Sequence, residues 1–594
     1  MPGRERRVSG GLLRVAIPAL CGIAAVIAGP WFLDTYTVNI LVRAFFVATA
    51  AITVDILWGF SGYLTFGQSA FFGIGAYTLA IGFTELGFGP WQVAVVLAAT
   101  ILIAGAVAAA VGWLSFYTGS TPLYASVVSL VLPIVLVQLI YAGGNFTGSS
   151  SGLVGFYTFD LELETWFRIA GIGAIAVATA AWVVLASDAG RLIKAVRDNE
   201  TRCAYLGIDT PRLRILLLVV CGIVAALAGF GYAGFGGIAA PENASFTFGT
   251  QLVIMVALGG RGSLVGALVG ALVVEVASAY LSGSLPFVWE LIVGVAFILV
   301  ILFLPSGLFG ALRMALSLAR RAIRPAVSLA TLDRPVTASG RGEVVVEAAG
   351  VSKNFGSLSV LTGVGFSARA GELVSLVGPN GAGKTTLIRC LADGRERSAG
   401  EVAIAGQSVG RMPPNRIVAL GLGRKFQAAS VFETLSVADC LRIARVAHDR
   451  PSPVEASPIL ALPASSRAVV EASGLAERLG EEARFLSHGQ RQAVELAMVL
   501  ALEPKVVLLD EPTAGLTRQE RQRFAEILTG LVAREGLCVL LVEHDLDFVR
   551  EISSRIIVLH EGRIALDGSV AEVVDSPLVR EIYSGHRAAA GGGS

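Results

Sequence analysis

A chain of 594 residues with 46 Lys and Arg against 45 Asp and Glu has a net charge of +1 at pH 7, which gives no reason to expect nucleic acid as a partner. Only 15% of its residues are charged and its mean hydropathy is +0.71, well outside the range of soluble domains, so part of the chain is built for membrane lipid. The six cysteines (Cys21, Cys203, Cys221, Cys390, Cys440 and Cys538) have neither zinc-site nor disulfide spacing and read as packing residues in a reducing compartment.

The apolar runs lie in 1–310, while 343–587 holds ordinary densities of charge. The expected fold is therefore an α-helical polytopic membrane domain over 1–310, a linker over 311–342 and an α/β domain over 343–587. Residues 588–594 read as a flexible appended tail outside the fold. Stretches able to cross a bilayer lie near 12–32, 36–59, 66–86, 91–112, 122–141, 167–186, 213–236 and 286–304. With 249–280 long enough for a broken pair, that makes roughly ten segments. Arg191, Lys194, Arg197, Arg202, Arg212 and Arg214 crowd the loop at 187–214, whereas 142–166 and 237–250 have no Lys or Arg; the first is expected inside and the others outside. Counting crossings puts the N-terminus, with Arg4, Arg6 and Arg7, and the end near Pro305 inside as well.

Within the membrane half, the glycine-rich break Gly59–Gln68 either lines a cavity, making Gln68 and Ser69 pathway candidates, or is a turn with close glycine packing. Arg43 and Asp55 are intramembrane ionisable groups and so functional candidates, set more than three turns apart on one helix, too far to pair. The external loop Gly143–Gly152 either shapes the mouth of a pathway or is simply flexible. The segment 187–210 opens as an amphipathic helix with Leu192, Ala195, Val196 and Asn199 on one face, suited to docking on a partner surface or lying at the interface. Arg313, Arg320, Arg321, Arg324 and the polar stretch Pro335–Gly342 then form a tether.

In the second half, Gly378-Pro379-Asn380-Gly381-Ala382-Gly383-Lys384-Thr385-Thr386 fits the phosphate-binding pattern G-x-x-x-x-G-K-[ST] on an expected strand-to-helix turn. Gly378, Gly381 and Gly383 let the backbone curl around phosphates, with Asn380 and Thr386 in the same loop. Lys384 reaches the β- and γ-phosphates of ATP, and Thr385 can hold Mg²⁺. Phe355 is placed to stack on adenine, and Gln427 to bring an amide to Mg²⁺ and the attacking water. Ser487, Gly489 and Gln490 open a second phosphate-binding helix start; one chain cannot bring both starts to one ATP, so two such modules are expected to face each other. The apolar strand Lys505–Asp510 delivers Asp510 to Mg²⁺ and Glu511 as general base, and the strand Cys538–Val542 delivers His544 to the γ-phosphate.

Gly378–Thr386, Gln427, Leu486–Gln490, Leu508–Pro512 and His544 resemble the Walker A, Q-loop, signature, Walker B and switch-histidine motifs of ABC transporter ATPases, across essentially all of 343–587. Gly423–Gln427, Leu486–Gln492 and Ala514–Thr517 resemble the ATPases of branched-chain amino acid and urea/short-chain amide importers, although Thr517 stands where the usual D-loop has aspartate. Ile56–Phe60 with Gly67–Phe72, Ala195–Asp198 with Leu206–Ile208, and Gly259–Ser263 resemble the permeases of the same group, which are separate polypeptides in the relatives. The resemblance implies a P-loop NTPase fold of the ABC ATPase type for the second half, ATP and Mg²⁺ as cofactors, and 187–210 as a coupling segment in an ATPase groove. It also implies a second permease/ATPase half, an extracytoplasmic solute-binding protein, and residence in the cytoplasmic membrane of a prokaryote. The absence of Lys and Arg from 142–158 and the scarcity of buried charge favour a small neutral or zwitterionic solute, leaning to urea or a short amide with branched-chain amino acids as the alternative. An exporter or an ATP-gated protein without transport is the rival of another class.

Overall fold

The computed structural model describes residues 16–117, 122–284, 288–303, 307–310, 327–332, 342–454, 457 and 459–590. Arg4, Arg6, Arg7, Pro305, Arg313, Arg320, Arg321, Arg324, most of Pro335–Gly342 and the Gly591–Ser594 end of the tail lie outside the described residues. Two compact units result, one from residues up to Ile193 and from Pro211 onward, the other from Lys194–Thr210 together with the chain beyond Ile323, save for 453–455.

The first unit is helical because its apolar runs must satisfy their backbone groups internally. Its helices are α1 (Ala16–Trp31), α2 (Thr35–Asp55), α3 (Gln68–Leu86), α4 (Pro90–Phe116), α5 (Pro122–Ala142) and α6 (Leu163–Ala186). They are followed by α7 (Asp188–Asp198) and α8 (Glu200–Ala204), which carry the chain into the second unit, and then by α9 (Thr210–Gly236), α10 (Phe246–Gly259), α11 (Leu264–Ser284) and α12 (Trp289–Phe303). Among the described residues seven helices are long and apolar enough to cross a membrane, with Ala16–Trp31 and Phe246–Gly259 shorter apolar ones. The run 249–280 is a broken pair, α10 and α11, divided at Gly260–Ser263.

Helix α2 is the centre of this unit, buried at nearly every position from Val38 onward and packed against α6, α10 and α11. The helix does not stop at Asp55 but widens into a π-turn over Ile56–Phe60. A Cβ at Gly59 would lie 2.1 Å from Asp55 Oδ1 and 2.5 Å from Gly262 N, so only glycine allows Asp55 to accept the Gly262 N–H at 2.7 Å. Gln68 and Ser69 are both fully buried, Gln68 accepting from the Thr53 hydroxyl at 3.2 Å. The two loops expected outside are joined: Leu153–Val154 (β1) pairs antiparallel with Ile238–Ala239 (β2), so the segment after Gly143–Gly152 is held in place. The Gly152–Ala239 approach leaves no room for a side chain, since a Cβ there would sit 2.4 Å from Ala239 O.

The second unit departs from the sequence expectation at once: within the supposed linker, Ser328–Thr331 forms a strand (β3). Its partner is found further along. Strands β4 (Val344–Phe355), β5 (Leu358–Arg369), β7 (Ala399–Ile404) and β8 (Gln407–Ser408) make an antiparallel sheet in the order β5-β4-β7-β8. Strands β6 (Leu373–Val377), β9 (Leu422–Lys425), β11 (Val506–Asp510), β12 (Cys538–Val542), β13 (Arg555–His560) and β14 (Arg563–Ser569) make a second, mostly parallel sheet in the order β14-β13-β6-β12-β11-β9. The remaining strand, β10 (Ile459–Leu462), runs parallel to β3, and the Leu332 N–H extends the ladder to Leu462 O at 2.9 Å. Four helices of this unit matter below: α13 (Lys384–Ala392), α14 (His488–Leu500), α15 (Arg518–Glu535) and α16 (Leu546–Ile552). Ala588–Ala590, expected as flexible tail, instead close the last helix, Pro577–Ala590.

Candidate functional site

Strands β6, β11 and β12 are buried at every position and apolar at all but two, Ser375 and Asp510, the pattern of parallel strands covered on both faces. Neighbours β6, β12, β11 and β9 run the same way, so their C-terminal ends deliver four stretches to one edge of the sheet. These are the loop Gly378–Gly383, the pair Glu543–His544, the pair Asp510–Glu511, and Phe426–Gln427. Ligands of open parallel sheets bind at this edge.

The loop needs glycine for two separate reasons. At Gly381 the backbone is left-handed (φ 83°) in open space, while at Gly383 (φ 99°) a Cβ would also press Leu361 at 2.8 Å. Gly383 then leads directly into α13, and the Lys384 ammonium folds back to donate to Gly378 O (2.7 Å) and Pro379 O (2.9 Å). Burial pushes the Lys384 amine below its ordinary pKa, with Glu511 and Asp510 pulling the other way. Asn380 is exposed at the loop tip, and Thr386 is half-buried in the first turn of α13.

The Thr385 hydroxyl donates to Asp510 Oδ1 at 3.3 Å, and burial raises the Asp510 carboxyl above its usual range. Beside it Glu511 holds a left-handed backbone (φ 46°) uncommon for a non-glycine residue, and its N–H is tied to Val542 O at 2.9 Å. Gln427 Nε2 donates to Glu511 Oε2 at 2.7 Å, and His544 Nε2 meets Glu511 Oε1 at hydrogen-bonding range. Gln427, Glu511 and His544, from three different strands, thus converge on one carboxylate.

The other expected residues stand apart. Phe355 is exposed at the end of β4 with the Lys353 ammonium 4.7 Å above its ring. Ser487 caps α14: its hydroxyl accepts from Gln490 N–H (3.3 Å) while Gln490 Oε1 accepts from Ser487 N–H (3.2 Å), and among the described residues neither side chain bonds to the 378–385 loop. Gly489 lies against Glu520, where a Cβ would come 2.3 Å from its carboxylate. Thr517, the departure from the usual aspartate, is the N-cap of α15 with a reciprocal Glu520 bond, which explains its type locally. Glu543, beside His544, is buried; it accepts from Thr513 N–H (3.0 Å) and Thr513 hydroxyl (2.6 Å) and pins the turn after Glu511.

Residues 194–210 belong to this same unit. Asp198 Oδ2 accepts from Thr434 N–H (3.0 Å) and hydroxyl (2.6 Å), and Asn199 Nδ2 donates to Ser430 Oγ at 3.0 Å. Arg202, which charge counting assigns to a solvated loop, is 0% exposed: it donates to Arg424 O (2.9 Å), Glu495 Oε1 (3.3 Å) and Glu495 O (3.3 Å). Glu495 Oε1 also accepts from Phe426 N–H at 3.0 Å, next to Gln427. Tyr205 closes the patch, its hydroxyl accepting from Arg424 at 3.0 Å and its ring edge-on to Phe426 at 5.0 Å. No sequence signal marks Arg202 as buried; its partner Glu495 merely falls on the inner face of α14.

The residues fit a nucleotide. Gly378 and Gly383 leave no room for a Cβ in the loop, the Lys384 ammonium rests inside it on two carbonyls, and the Thr385 and Asp510 oxygens converge as Mg²⁺ would require. A glycine-bearing phosphate loop on a parallel sheet, in one chain whose described residues include seven helices long and apolar enough to cross a membrane, defines an ATPase joined to a membrane permease. Comparison with known proteins agrees. Residues 36–304 match the family described as branched-chain amino acid transport system / permease component, and 361–514 match the ABC transporter family. The branched-chain amino acid transport ATP-binding protein BraF of Pseudomonas aeruginosa is 30% identical over 251 residues, 41% of this chain and 98% of that protein. LivG of Salmonella typhimurium, of the same description, is 32% identical over 246 residues, 40% of this chain and 96% of its own length. The octopine permease ATP-binding protein P of Rhizobium radiobacter is 34% identical over 38% of this chain and 88% of its length. A crystal structure of an ABC transporter ATP-binding cassette in its ADP conformation aligns with 26% identity and a TM-score of 0.35, covering 41% of this chain and 99% of that one. The chain belongs to the branched-chain amino acid family of ABC importers and fuses its permease to its ATPase. It is a membrane protein that binds ATP and couples ATP hydrolysis to transport.

Proposed function

We propose that the chain imports branched-chain amino acids across the cytoplasmic membrane, as one half of a complex with a second permease/ATPase half and an extracytoplasmic binding protein. The observation that carries this reading is the presence, in one chain, of a segment matching the branched-chain amino acid permease family and an ATPase similar to proteins named for high-affinity transport of the same solutes. The expectation of urea or a short amide finds no support that separates it from these solutes and gives way to the alternative.

In the ATPase, Lys384, the loop N–H groups and the start of α13 hold the phosphates, with Asn380 and Thr386 alongside, and Phe355 stacks on adenine. Thr385, Asp510 and Gln427 would hold Mg²⁺, which would neutralise charge at the phosphates. Glu511 is the general base, oriented through Gln427 and His544, and its strained backbone is fixed by Val542. Ser487, Gly489 and Gln490 serve the ATP of the opposite half, consistent with their lack of bonds to this chain's own loop. The segment 187–210 carries the coupling: Arg202 and Phe426 share Glu495, one residue from Gln427, so movement of Gln427 on hydrolysis is transmitted to Arg202. Uptake of labelled leucine by vesicles bearing the full chain and its binding protein, challenged with isoleucine, valine, urea and acetamide, tests the reading. Competition by the amino acids alone is expected; uptake of urea without leucine would overturn it.

A further inference from the structure

Helices α2 and α11 run antiparallel, and two contacts set their register. At one end the Tyr36 and Tyr280 rings meet edge-on at 5.5 Å and the Thr37 hydroxyl lies 2.8 Å from the Tyr280 hydroxyl; at the other Asp55 accepts from Gly262 N–H. Between these anchors Arg43, seven residues beyond Tyr36, comes level with Glu275, five residues before Tyr280, to within about one turn. Tyr232 of α9 joins them. It packs, with Leu272, against the cluster of Val42, Phe45 and Phe46, and Gly231 lets its helix approach so closely that a Cβ would touch the Phe46 ring at 2.3 Å.

Two features mark this cluster as a working site. Arg43 is the one exposed position on α2 from Val38 to Asp55, yet a guanidinium facing hydrocarbon at that depth is costly; such groups face a water-filled path. Second, although the two charges are opposite and level, no ion pair joins Arg43 to Glu275 among the described residues, so each keeps capacity for another partner. A cation and an anion held apart in a low-dielectric wall match a ligand with one carboxylate and one ammonium.

We propose that Arg43, Glu275 and Tyr232 form a zwitterion-binding station on the solute pathway, with Arg43 taking the carboxylate and Glu275 the ammonium of an α-amino acid. This rests on the reading of the chain as an amino acid importer and names the residues that would handle the solute. The test is leucine uptake by vesicles with the full chain and its binding protein, comparing wild type with Arg43→Gln, Glu275→Gln, Arg43→Lys and Glu275→Asp. The neutral variants are expected to lose at least about tenfold in uptake, the loss of a charge-assisted bond, and the charge-keeping variants less. Competitors give a signature that a purely structural role would not: leucinamide, which lacks the carboxylate, should gain on leucine in Arg43→Gln, and 4-methylpentanoate, which lacks the ammonium, in Glu275→Gln. The binding protein is unchanged throughout, so a crossed shift belongs to the permease. Should the neutral variants fail to insert, the same ranking is read in the Lys and Asp variants. Wild-type leucine uptake with unaltered KM in both neutral variants, or loss without the crossed shift, overturns the station alone. Wild-type uptake of urea and not leucine overturns both the station and the substrate reading.

Discussion

Among the described residues, the ionisable cluster around Arg202 and the one around Arg43 and Glu275 are completed differently. Around Arg202 the guanidinium makes bonds to Arg424 O, Glu495 O and the Glu495 carboxylate, and Lys425 stands 3.9 Å from the other Glu495 oxygen. Only Arg202 Nε and Glu495 Oε2 lack a hydrogen bond in that pair. Arg43 and Glu275, level with each other on packed helices, form no ion pair with each other among the described residues. Charge buried and nearly saturated by its own chain makes a joint that holds one arrangement, whereas charge placed in apolar surroundings and left unpaired leaves work for a ligand.

If the comparison is right, each cluster and the ATP site can be broken separately. The largest effect is expected at Glu511: Glu511→Gln keeps the size of the side chain but has one accepting oxygen where the carboxylate offers two to Gln427 and His544, and it removes the base, so ATPase activity should fall by about 10²–10⁴-fold while nucleotide binding persists. Phosphate release and nucleotide titration on the same preparation check this, and unchanged turnover would remove Glu511 as the base. Next comes the joint. Arg202→Met leaves Glu495 buried without its main partner, at an expected cost of about 3–5 kcal/mol, and the double variant Arg202→Met/Glu495→Leu should recover a large part of it. Calorimetric unfolding separates the two outcomes; a double variant no better than the single would mean that the pair is not the joint described. The smallest effect is at Thr517, where Thr517→Ala removes the α15 cap and should cost about 1 kcal/mol with little change in hydrolysis, measured as a shift in denaturant midpoint. A far larger loss of hydrolysis would give Thr517 a coupling role beyond its cap.

The ATP site was legible because its parts are local. A strand, a glycine loop and a helix start are contiguous over 372–391, and the later strands announce themselves as short apolar runs ending in acid or histidine. What escaped was non-local or counter to composition. Arg202 was counted as loop charge, because a sequence does not say that a guanidinium has carbonyls waiting far along the chain. Glu275 disappeared into the apolar run 249–280, and with it the placing of Arg43 level with an acidic group on another helix. The β3–β10 pairing escaped because Ser328–Thr331 is too short to stand out and its partner lies more than a hundred residues on. Asp55 read as an intramembrane ionisable group without a partner in view; its bond to Gly262 depends on a glycine contact that only the folded pair of helices creates.

The central claim is that one chain couples ATP hydrolysis to amino acid uptake, and right-side-out vesicles loaded with ATP and supplied with the binding protein test it most directly. Labelled leucine should accumulate against its gradient in vesicles with the wild-type chain and not in those with Glu511→Gln, at equal amounts of protein. Leucine accumulation that is the same in both, or absent from both while urea accumulates, would contradict the account.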